Sequence, residues 1–170
     1  MTSAGPTGSP RRPAYVAVVG PGDEATAEDC AVAGRVGQLL AERGAILVCG
    51  GLGGVMQAAA EGTRARGGTA VGLLPGRDRA AGNPALSIIL PTGLGELRNG
   101  LVVGVSDAVI AVGGSWGTQS EIALAMRSAR PVAIINGWPV RIPDGSPASA
   151  PPSVASAEAA VSAIFTALGR

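Results

Sequence analysis

The sequence contains no histidine and no lysine, and aromatic residues make up only 2% of it. Without histidine, the chain lacks the most common metal ligand and the usual proton acceptor near neutral pH. We therefore expect no bound metal and no resident cofactor, and any acid–base chemistry must use carboxylates, cysteine, tyrosine or water. Since aromatic side chains are scarce, the core must consist of alanine, valine, leucine and isoleucine.

Clustered positive charge is also missing. The formal net charge is +1, and arginine supplies every positive side chain. A nucleic-acid groove or an anionic membrane surface requires a basic stripe, so we expect neither partner. No apolar run is long enough to cross a bilayer. Cys30 and Cys49 fall in a predicted helix and a predicted strand, with no signal-peptide pattern before them, so we expect reduced thiols in a cytoplasmic protein.

Six apolar runs alternate with helical patterns along a single predicted domain, residues 14–170. The runs cover 14–20, 45–50, 69–76, 86–92, 107–114 and 131–136. This alternation predicts an α/β fold, a Rossmann-like doubly wound parallel sheet with helices on both faces. Residues 1–13 predict a disordered N-terminal tail. The proline-rich segment 137–153 predicts a linker or wrapping loop, followed by a C-terminal helix at 154–168.

Glycine clusters follow three of the predicted strands. They contain Gly20 and Gly22; Gly50, Gly51, Gly53 and Gly54; and Gly113, Gly114 and Gly117. The carboxyl ends of parallel strands meet at one edge of a sheet, where ligands bind. The N–H groups of a glycine-rich turn and of the helix that follows it attract anions. We therefore expect a small phosphorylated ligand there, and two such loops on neighbouring strands favour a mononucleotide over a dinucleotide.

The stretch from Thr118 to Glu121 allows two interpretations. In one, Thr118 adds a hydroxyl donor to the anion site. In the other, the four residues form a capping box, in which Thr118 caps the helix and Glu121 bonds back to it. The presence of a second glycine cluster favours the anion site.

Arg98 lies in an otherwise apolar helical pattern and also allows two interpretations. It is either a solvated surface residue or a functional one, in which case it is a bidentate clamp on phosphate or a partner for Glu121. Arg77 and Arg79 follow the third predicted strand. We expect them to be solvated loop charges rather than ligand contacts.

Three segments, CGGLGGVMQAAAEG, TGLGELRN and VGGSWGTQSEIALA, resemble the Lonely Guy (LOG) superfamily, in the branch that includes molybdenum cofactor carrier proteins. The resemblance covers residues 14–136. It implies that Arg98 and Glu121 are the catalytic pair, and that Met56, Ser115 and Thr118 join the glycines in binding nucleotide and phosphate. It also implies a homodimer, for which the aliphatic faces at 101–105 and 122–126 are candidates.

The hallmark of LOG phosphoribohydrolases is Pro-Gly-Gly-x-Gly-Thr-x-x-Glu, with an upstream Arg-Lys pair. In this chain Gly113 stands at the proline, Ser115 at the second glycine and Asn99 at the lysine. The resemblance implies a phosphoribohydrolase that releases the free base from a nucleoside 5′-monophosphate such as AMP. The departures at Ser115 and Asn99 favour an alternative, a carrier of the molybdenum cofactor (a phosphorylated pterin) or of another phosphorylated ligand, without catalysis. A nucleotide sensor, or a scaffold with a vestigial pocket, is a third interpretation.

Overall fold

The computed structural model describes residues 12–139 and 150–170. The predicted tail up to residue 11, and residues 140–149 of the proline-rich segment, lie outside the described residues. The strands are β1 (Tyr15–Val19), β2 (Ile46–Cys49), β3 (Thr69–Leu74), β4 (Ile88–Pro91), β5 (Ala108–Val112) and β6 (Val132–Ile135). The α-helices are α1 (Ala27–Glu42), α2 (Val55–Ala65), α3 (Arg98–Gly104), α4 (Trp116–Arg127) and α5 (Ala157–Ala167).

The described strands form one parallel sheet in the order β4-β3-β2-β1-β5-β6. The chain adds strands outward from β1 to β4 and then returns to the other side of β1 for β5. This reversal places the loops after β1 and β5 side by side at the carboxyl edge of the sheet. In doubly wound folds such a switch point is where ligands bind.

Both faces of the sheet are covered by helices. Val16 and Val18 of β1 pack in the layer that contains α1, α2 and α5, whereas Ala17 and Val19 pack in the layer with α3 and α4. Burial on both faces explains why the strands are continuous apolar runs rather than alternating ones. The predicted doubly wound α/β fold with one domain is therefore confirmed. None of the helices in the described residues is both long and apolar enough to cross a membrane.

The first and last helices, α1 and α5, each begin directly after a residue whose side chain caps the helix. Asp23 is a suitable residue type for capping the first helix, but α1 is capped by Thr26. The Thr26 hydroxyl accepts from the Asp29 amide at 3.1 Å, and the Asp29 carboxylate accepts from the Thr26 amide at 3.1 Å. This reciprocal pair satisfies two amides, which an isolated Asp23 would not do. Helix α5 begins at Ala157, because Ser156 caps it.

The last described part of the proline-rich segment lies along the edge of β6. The amide of Ile134 donates to the carbonyl of Pro152 at 2.9 Å, and the amide of Val154 donates to the carbonyl of Ile134 at 2.8 Å. The chain therefore returns to the sheet before α5 begins, as a wrapping segment would.

Candidate functional site

A cavity of about 270 Å³ lies at the carboxyl edge of the sheet, beside the switch point. Eight of the predicted site residues line it: Gly20, Gly50, Met56, Arg98, Ser115, Gly117, Thr118 and Glu121. Sequence reasoning missed the other lining residues, which are Val19, Leu52, Pro75, Glu96 and Asn99. The structure thus brings together residues from the ends of β1 and β3, from the loop and helix that follow β2, and from the segments that carry α3 and α4.

Arg98 and Glu121 face this cavity from neighbouring helices. Arg98 is the first residue of α3, directly after a single 3-10 turn at Gly95–Leu97, and Glu121 lies in the second turn of α4. The two residues are 8% and 6% exposed. The burial of Arg98 excludes the interpretation that it is a solvated surface residue.

Neither member of this pair is satisfied by protein groups. Among the described residues, no hydrogen bond or ion pair holds the Glu121 carboxyl, and the buried Nε of Arg98 has no partner. Burying a charge without a partner costs several kcal/mol, roughly 3 to 5 where a pair is broken. An arrangement of this kind is typical of a site that receives a ligand.

The backbone of Gly50 gives the Arg98 guanidinium its space. A Cβ on Gly50 would overlap Nη1 of Arg98 and would lie 2.7 Å from both Cζ of Arg98 and Sδ of Met56. Any side chain at position 50 would therefore push the guanidinium out of its place. The second glycine cluster contributes to the site through this close approach.

Burial shifts the pKa values of both ionisable side chains of this pair. It raises the pKa of Glu121 to about 8, and the positive charge of Arg98 offsets only part of this shift. Burial lowers the pKa of Arg98, while the charge of Glu121 raises it. Arginine keeps its proton in proteins even where burial lowers its pKa, so Arg98 stays cationic at neutral pH. The site therefore combines a fixed cation with a carboxyl group that titrates near physiological pH.

Cys49 lies beneath the same pair but is not a nucleophile. Burial raises the pKa of its thiol to about 11, although a hydrogen bond from the backbone of Gly51 and the charge of Arg98 lower it. Only the thiolate is reactive, so this thiol is inert at neutral pH. Cys30 and Cys49 are both free cysteines, and Cys49 is buried.

The start of α4 is capped by Ser115, not by Thr118. The Ser115 hydroxyl accepts from the Thr118 amide at 3.2 Å and also pairs with the Thr118 hydroxyl at 2.9 Å. The capping-box interpretation is therefore wrong, because Thr118 is already inside the helix and Glu121 does not bond back. Within the described chain, the amides of Trp116 and Gly117 have no hydrogen-bond partner. They remain free to bind an anion.

The helix after the second glycine cluster begins without a side-chain cap. The amide of Val55 donates to the carbonyl of Pro21 at 3.1 Å, so part of this N-terminus is occupied by the first glycine loop. Gly54 lies against the carbonyls of Pro21 and Gly22, whereas Gly51 lies against Leu74 and Gly72 of β3. The cavity lining does not include Gly22, Gly51, Gly53 or Gly54. Their assignment to phosphate binding stays a prediction.

Gly113 and Gly114 also lie outside the cavity lining. Gly113 has φ of 69°, and a Cβ there would lie 3.0 Å from the Asp29 carboxylate. Gly114 packs under the indole of Trp138, whose Nε1 would be 2.7 Å from an added Cβ. The ring of Trp138 in turn meets that of Trp116 edge to face, with centroids 5.1 Å apart.

Asn99 connects the two helices at the mouth of the cavity. Its Nδ2 donates to the Ser120 hydroxyl at 3.1 Å, and that hydroxyl donates to the Gly117 carbonyl at 2.7 Å. The sequence signal for Asn99 was its position directly after Arg98. Leu52, Pro75 and Glu96 carry no such signal, because only the folded loops bring them to the cavity.

No metal site is found in the described residues. Within 12–139 and 150–170, no group of three or more histidine, cysteine, aspartate or glutamate side chains is placed to hold a metal ion.

Comparison with known proteins identifies the family. A model of the SLOG cluster4 family matches residues 13–163. The chain belongs to the SLOG cluster4 family. This confirms the predicted place among LOG-like proteins. A relative from Archaeoglobus fulgidus, described only as an uncharacterized protein, is 45% identical over 118 residues, which cover 69% of this chain and 77% of that one.

Two similar solved structures have names that refer to the molybdenum cofactor. The molybdenum cofactor binding protein of Rippkaea orientalis is 33% identical with a TM-score of 0.83, and the match covers 94% of this chain and 99% of that one. The molybdenum cofactor carrier protein of Chlamydomonas reinhardtii is 30% identical with a TM-score of 0.80, and the match covers 94% and 100%. DNA processing protein A of Helicobacter pylori, 20% identical with a TM-score of 0.65 over 92% and 81%, shares the fold alone.

Proposed function

We propose that this SLOG cluster4 protein binds a nucleoside 5′-monophosphate at the start of α4 and hydrolyses its N-glycosidic bond. The observation that carries the proposal is the buried, unsatisfied pair of Arg98 and Glu121 beside the free amides of Trp116 and Gly117. Helix N-terminal amides and a guanidinium are a strong combination of donors for phosphate. Glu121 is the group left to act on the ribose.

The reaction adds water across the bond between the ribose C1′ and the base nitrogen. As that bond breaks, positive charge develops on the ribose, and an ionised Glu121 stabilises it and accepts a proton from the attacking water. The water oxygen becomes the new C1′ hydroxyl. The base leaves with the bonding electron pair and takes up a proton, which balances the proton that the attacking water gave to Glu121. The products are the free base and ribose 5-phosphate.

Electrostatic repulsion determines which end of the ligand lies beside Glu121. A carboxylate and a phosphate repel each other, so the phosphate must lie toward Trp116 and Gly117, with the ribose toward Glu121. With a pKa of about 8, only about a tenth of Glu121 is ionised at pH 7 in the empty site. Ionisation therefore limits the reaction at neutral pH and favours a mildly alkaline optimum.

A second candidate function is the carriage of a phosphorylated pterin cofactor without turnover. It is supported by the names of the solved relatives from Rippkaea orientalis and Chlamydomonas reinhardtii. It is also supported by Ser115 and Asn99, which stand where the hydrolase hallmark has glycine and lysine. A groove of about 480 Å³ adjoins the cavity and shares Glu96, Asn99 and Gly117 with it. The groove gives room for a ligand larger than AMP.

The experiment is to incubate the purified protein with AMP and with other purine and pyrimidine monophosphates, and to measure released base by chromatography. Release that depends on Glu121 supports the hydrolase. Failure to release base from any of them, together with a fluorescent pterin that copurifies with the protein, supports the carrier. Mass spectrometry of the native protein identifies which molecule it holds.

We also propose that the protein is a cytoplasmic homodimer. Five large apolar side chains in this region are exposed: Leu97 (80%), Trp116 (81%), Leu101 (40%), Val105 (52%) and Leu124 (38%). These residues lie on α3, at its two ends and on α4, and Leu97, Trp116 and Leu124 border one groove. Adjacent exposed apolar side chains of this kind mark interaction surfaces, and we refer to them as the apolar patch. Ile122, which was expected on this face, is only 2% exposed and packs in the core instead. The free cysteines are compatible with a reducing compartment.

A further inference from the structure

A second cavity, of about 580 Å³, lies at the opposite edge of the sheet from the candidate site. It is lined by Arg12, Pro13, Ala14, Arg43, Gly44, Phe165 and Arg170. These residues precede β1, connect α1 to β2, and come from the end of α5. Its volume is within the range of small-molecule sites, roughly 300 to 1,000 Å³. The lining contains three guanidinium groups and no acidic side chain.

The three arginines are not neutralised by neighbouring carboxylates. Among the described residues, the ion pairs are Arg35 with Glu158 and Arg66 with Glu42. Glu42 is the neighbour of Arg43 in sequence, yet it pairs with Arg66 at 3.3 Å. The cluster at the second cavity therefore keeps its positive charge.

Two of the three guanidinium groups are held in place by the protein. Nη1 of Arg170 donates to the carbonyl of Arg12 at 2.8 Å. The guanidinium carbon of Arg43 lies 4.7 Å from the ring centroid of Phe165, a cation–π contact. The backbone around them is also fixed, since the amide of Ile46 donates to the carbonyl of Ala14 at 2.8 Å. Groups oriented before binding lose less entropy when a ligand arrives.

The negative ends of α1 and α5 reduce this charge but do not cancel it. Both helices end at this edge, and each helix C-terminus carries about −0.5 of an elementary charge. Against the three guanidinium groups of the cavity, the sum stays near +2, or near +1 if a terminal carboxylate follows Arg170. Simple capping of two helix ends does not require three arginines around one cavity.

We infer that the cavity between Arg12, Arg43 and Arg170 is a second anion site, which binds a small organic phosphate with two or more negative charges. Guanidinium forks match phosphate oxygens in geometry as well as in charge. The apolar side chains of Pro13, Ala14 and Phe165 provide a surface for the organic part of the ligand. The inference is independent of the function proposed for the other edge, because the two cavities share no residue.

The test is calorimetric titration with ADP, and with inorganic phosphate as competitor, followed in parallel by tryptophan fluorescence. Both tryptophans of the chain lie at the other edge, so binding at the arginine cavity gives heat without a fluorescence change. The triple variant Arg12→Gln, Arg43→Gln, Arg170→Gln is expected to weaken this fluorescence-silent binding of ADP at least tenfold. The matched control is Arg77→Gln, Arg79→Gln, Arg127→Gln, which removes the same charge elsewhere and is expected to leave it unchanged.

Three results would overturn the inference. One is the absence of any fluorescence-silent binding of ADP. Another is an equal loss in the control variant, which would show only a general effect of net charge. The third is a component that inorganic phosphate cannot displace. Circular dichroism checks that both triple variants fold. If the cavity variant does not fold, Arg43→Gln alone replaces it and is expected to weaken ADP binding several-fold.

Discussion

Arg98 and Glu121 lie on neighbouring helices, and each is more than nine-tenths buried, yet no ion pair within 4.0 Å joins them in the described chain. Their charges still interact, since Arg98 lowers the pKa of Glu121 and Glu121 raises that of Arg98. Two buried ionisable groups held apart leave room for a polar ligand. The proposals for this edge of the sheet depend on that relationship.

The first prediction concerns Glu121 as the group that acts on the ribose. Glu121→Gln keeps the size of the side chain but removes its charge, so base release from AMP is expected to fall at least a hundredfold. Binding of AMP is expected to change less than threefold, because the phosphate is held by other groups. Chromatographic base release and calorimetric titration measure the two effects.

The control for this substitution is Glu24→Gln, an exposed residue away from the cavity. It is expected to behave as the unaltered protein in both assays. Undiminished base release by the Glu121→Gln variant would show that Glu121 takes no part in the reaction.

The second prediction concerns stability as a function of pH. The pKa of Glu121 is about 8 in the folded protein and near 4.5 in the unfolded chain, so the folded state binds the proton more tightly. Its contribution to the free energy of unfolding is therefore complete below pH 4.5 and is lost as the pH rises to about 8. The loss is on the order of 5 kcal/mol.

Urea unfolding at several pH values tests this second prediction. Glu121→Gln has no such titration, so its stability relative to the unaltered protein is expected to increase between pH 5 and pH 8. A difference that does not vary over this interval would show that Glu121 titrates normally in the fold.

The sequence predicted the fold well because its signal is local and repeated. Apolar strands alternate with helices, and the sheet order confirms the doubly wound arrangement. Glycine after a strand marked the right edge of the sheet, although Gly53 and Gly114 lie outside the cavity. Pattern alone does not separate a glycine that faces a ligand from one that permits loops to pack.

The sequence did not show which of two suitable residues would cap each helix. Thr118 and Ser115 can each cap a helix, and only the path of the loop after β5 selects Ser115. Likewise Asp23 and Thr26 are both capping residues, and the position of Asp29 selects Thr26. The burial of Arg98 was not predictable, because it depends on the missing side chain at Gly50.

The third prediction concerns that contact. Gly50→Ala places a methyl group where the Arg98 guanidinium lies, so the guanidinium must move. We expect AMP affinity to fall about tenfold and stability to fall by about 1 to 3 kcal/mol, which is typical of overpacking. Gly76→Ala is the matched control, because Gly76 is exposed, does not line the cavity and would have no atom within 4 Å of the added methyl group. Equal effects in both variants would contradict a specific role for Gly50.

The fourth prediction concerns self-association. Leu101 is 40% exposed in the patch formed by α3 and α4, and Leu101→Glu would place a charge there. If the patch joins two copies, light scattering is expected to show a dimer for the unaltered protein and a monomer for this variant. Leu90→Glu, at a residue 45% exposed on the edge strand β4, is expected to remain dimeric. A monomer in all three samples, or dissociation by Leu90→Glu alone, would contradict the proposal.

The most direct measurement for the central claim is a crystal structure of the protein grown with AMP. We expect the phosphate to accept hydrogen bonds from the amides of Trp116 and Gly117 and from Arg98, with the Glu121 carboxyl beside the ribose C1′. An empty cavity at saturating AMP, or a phosphate turned toward Glu121, would contradict it.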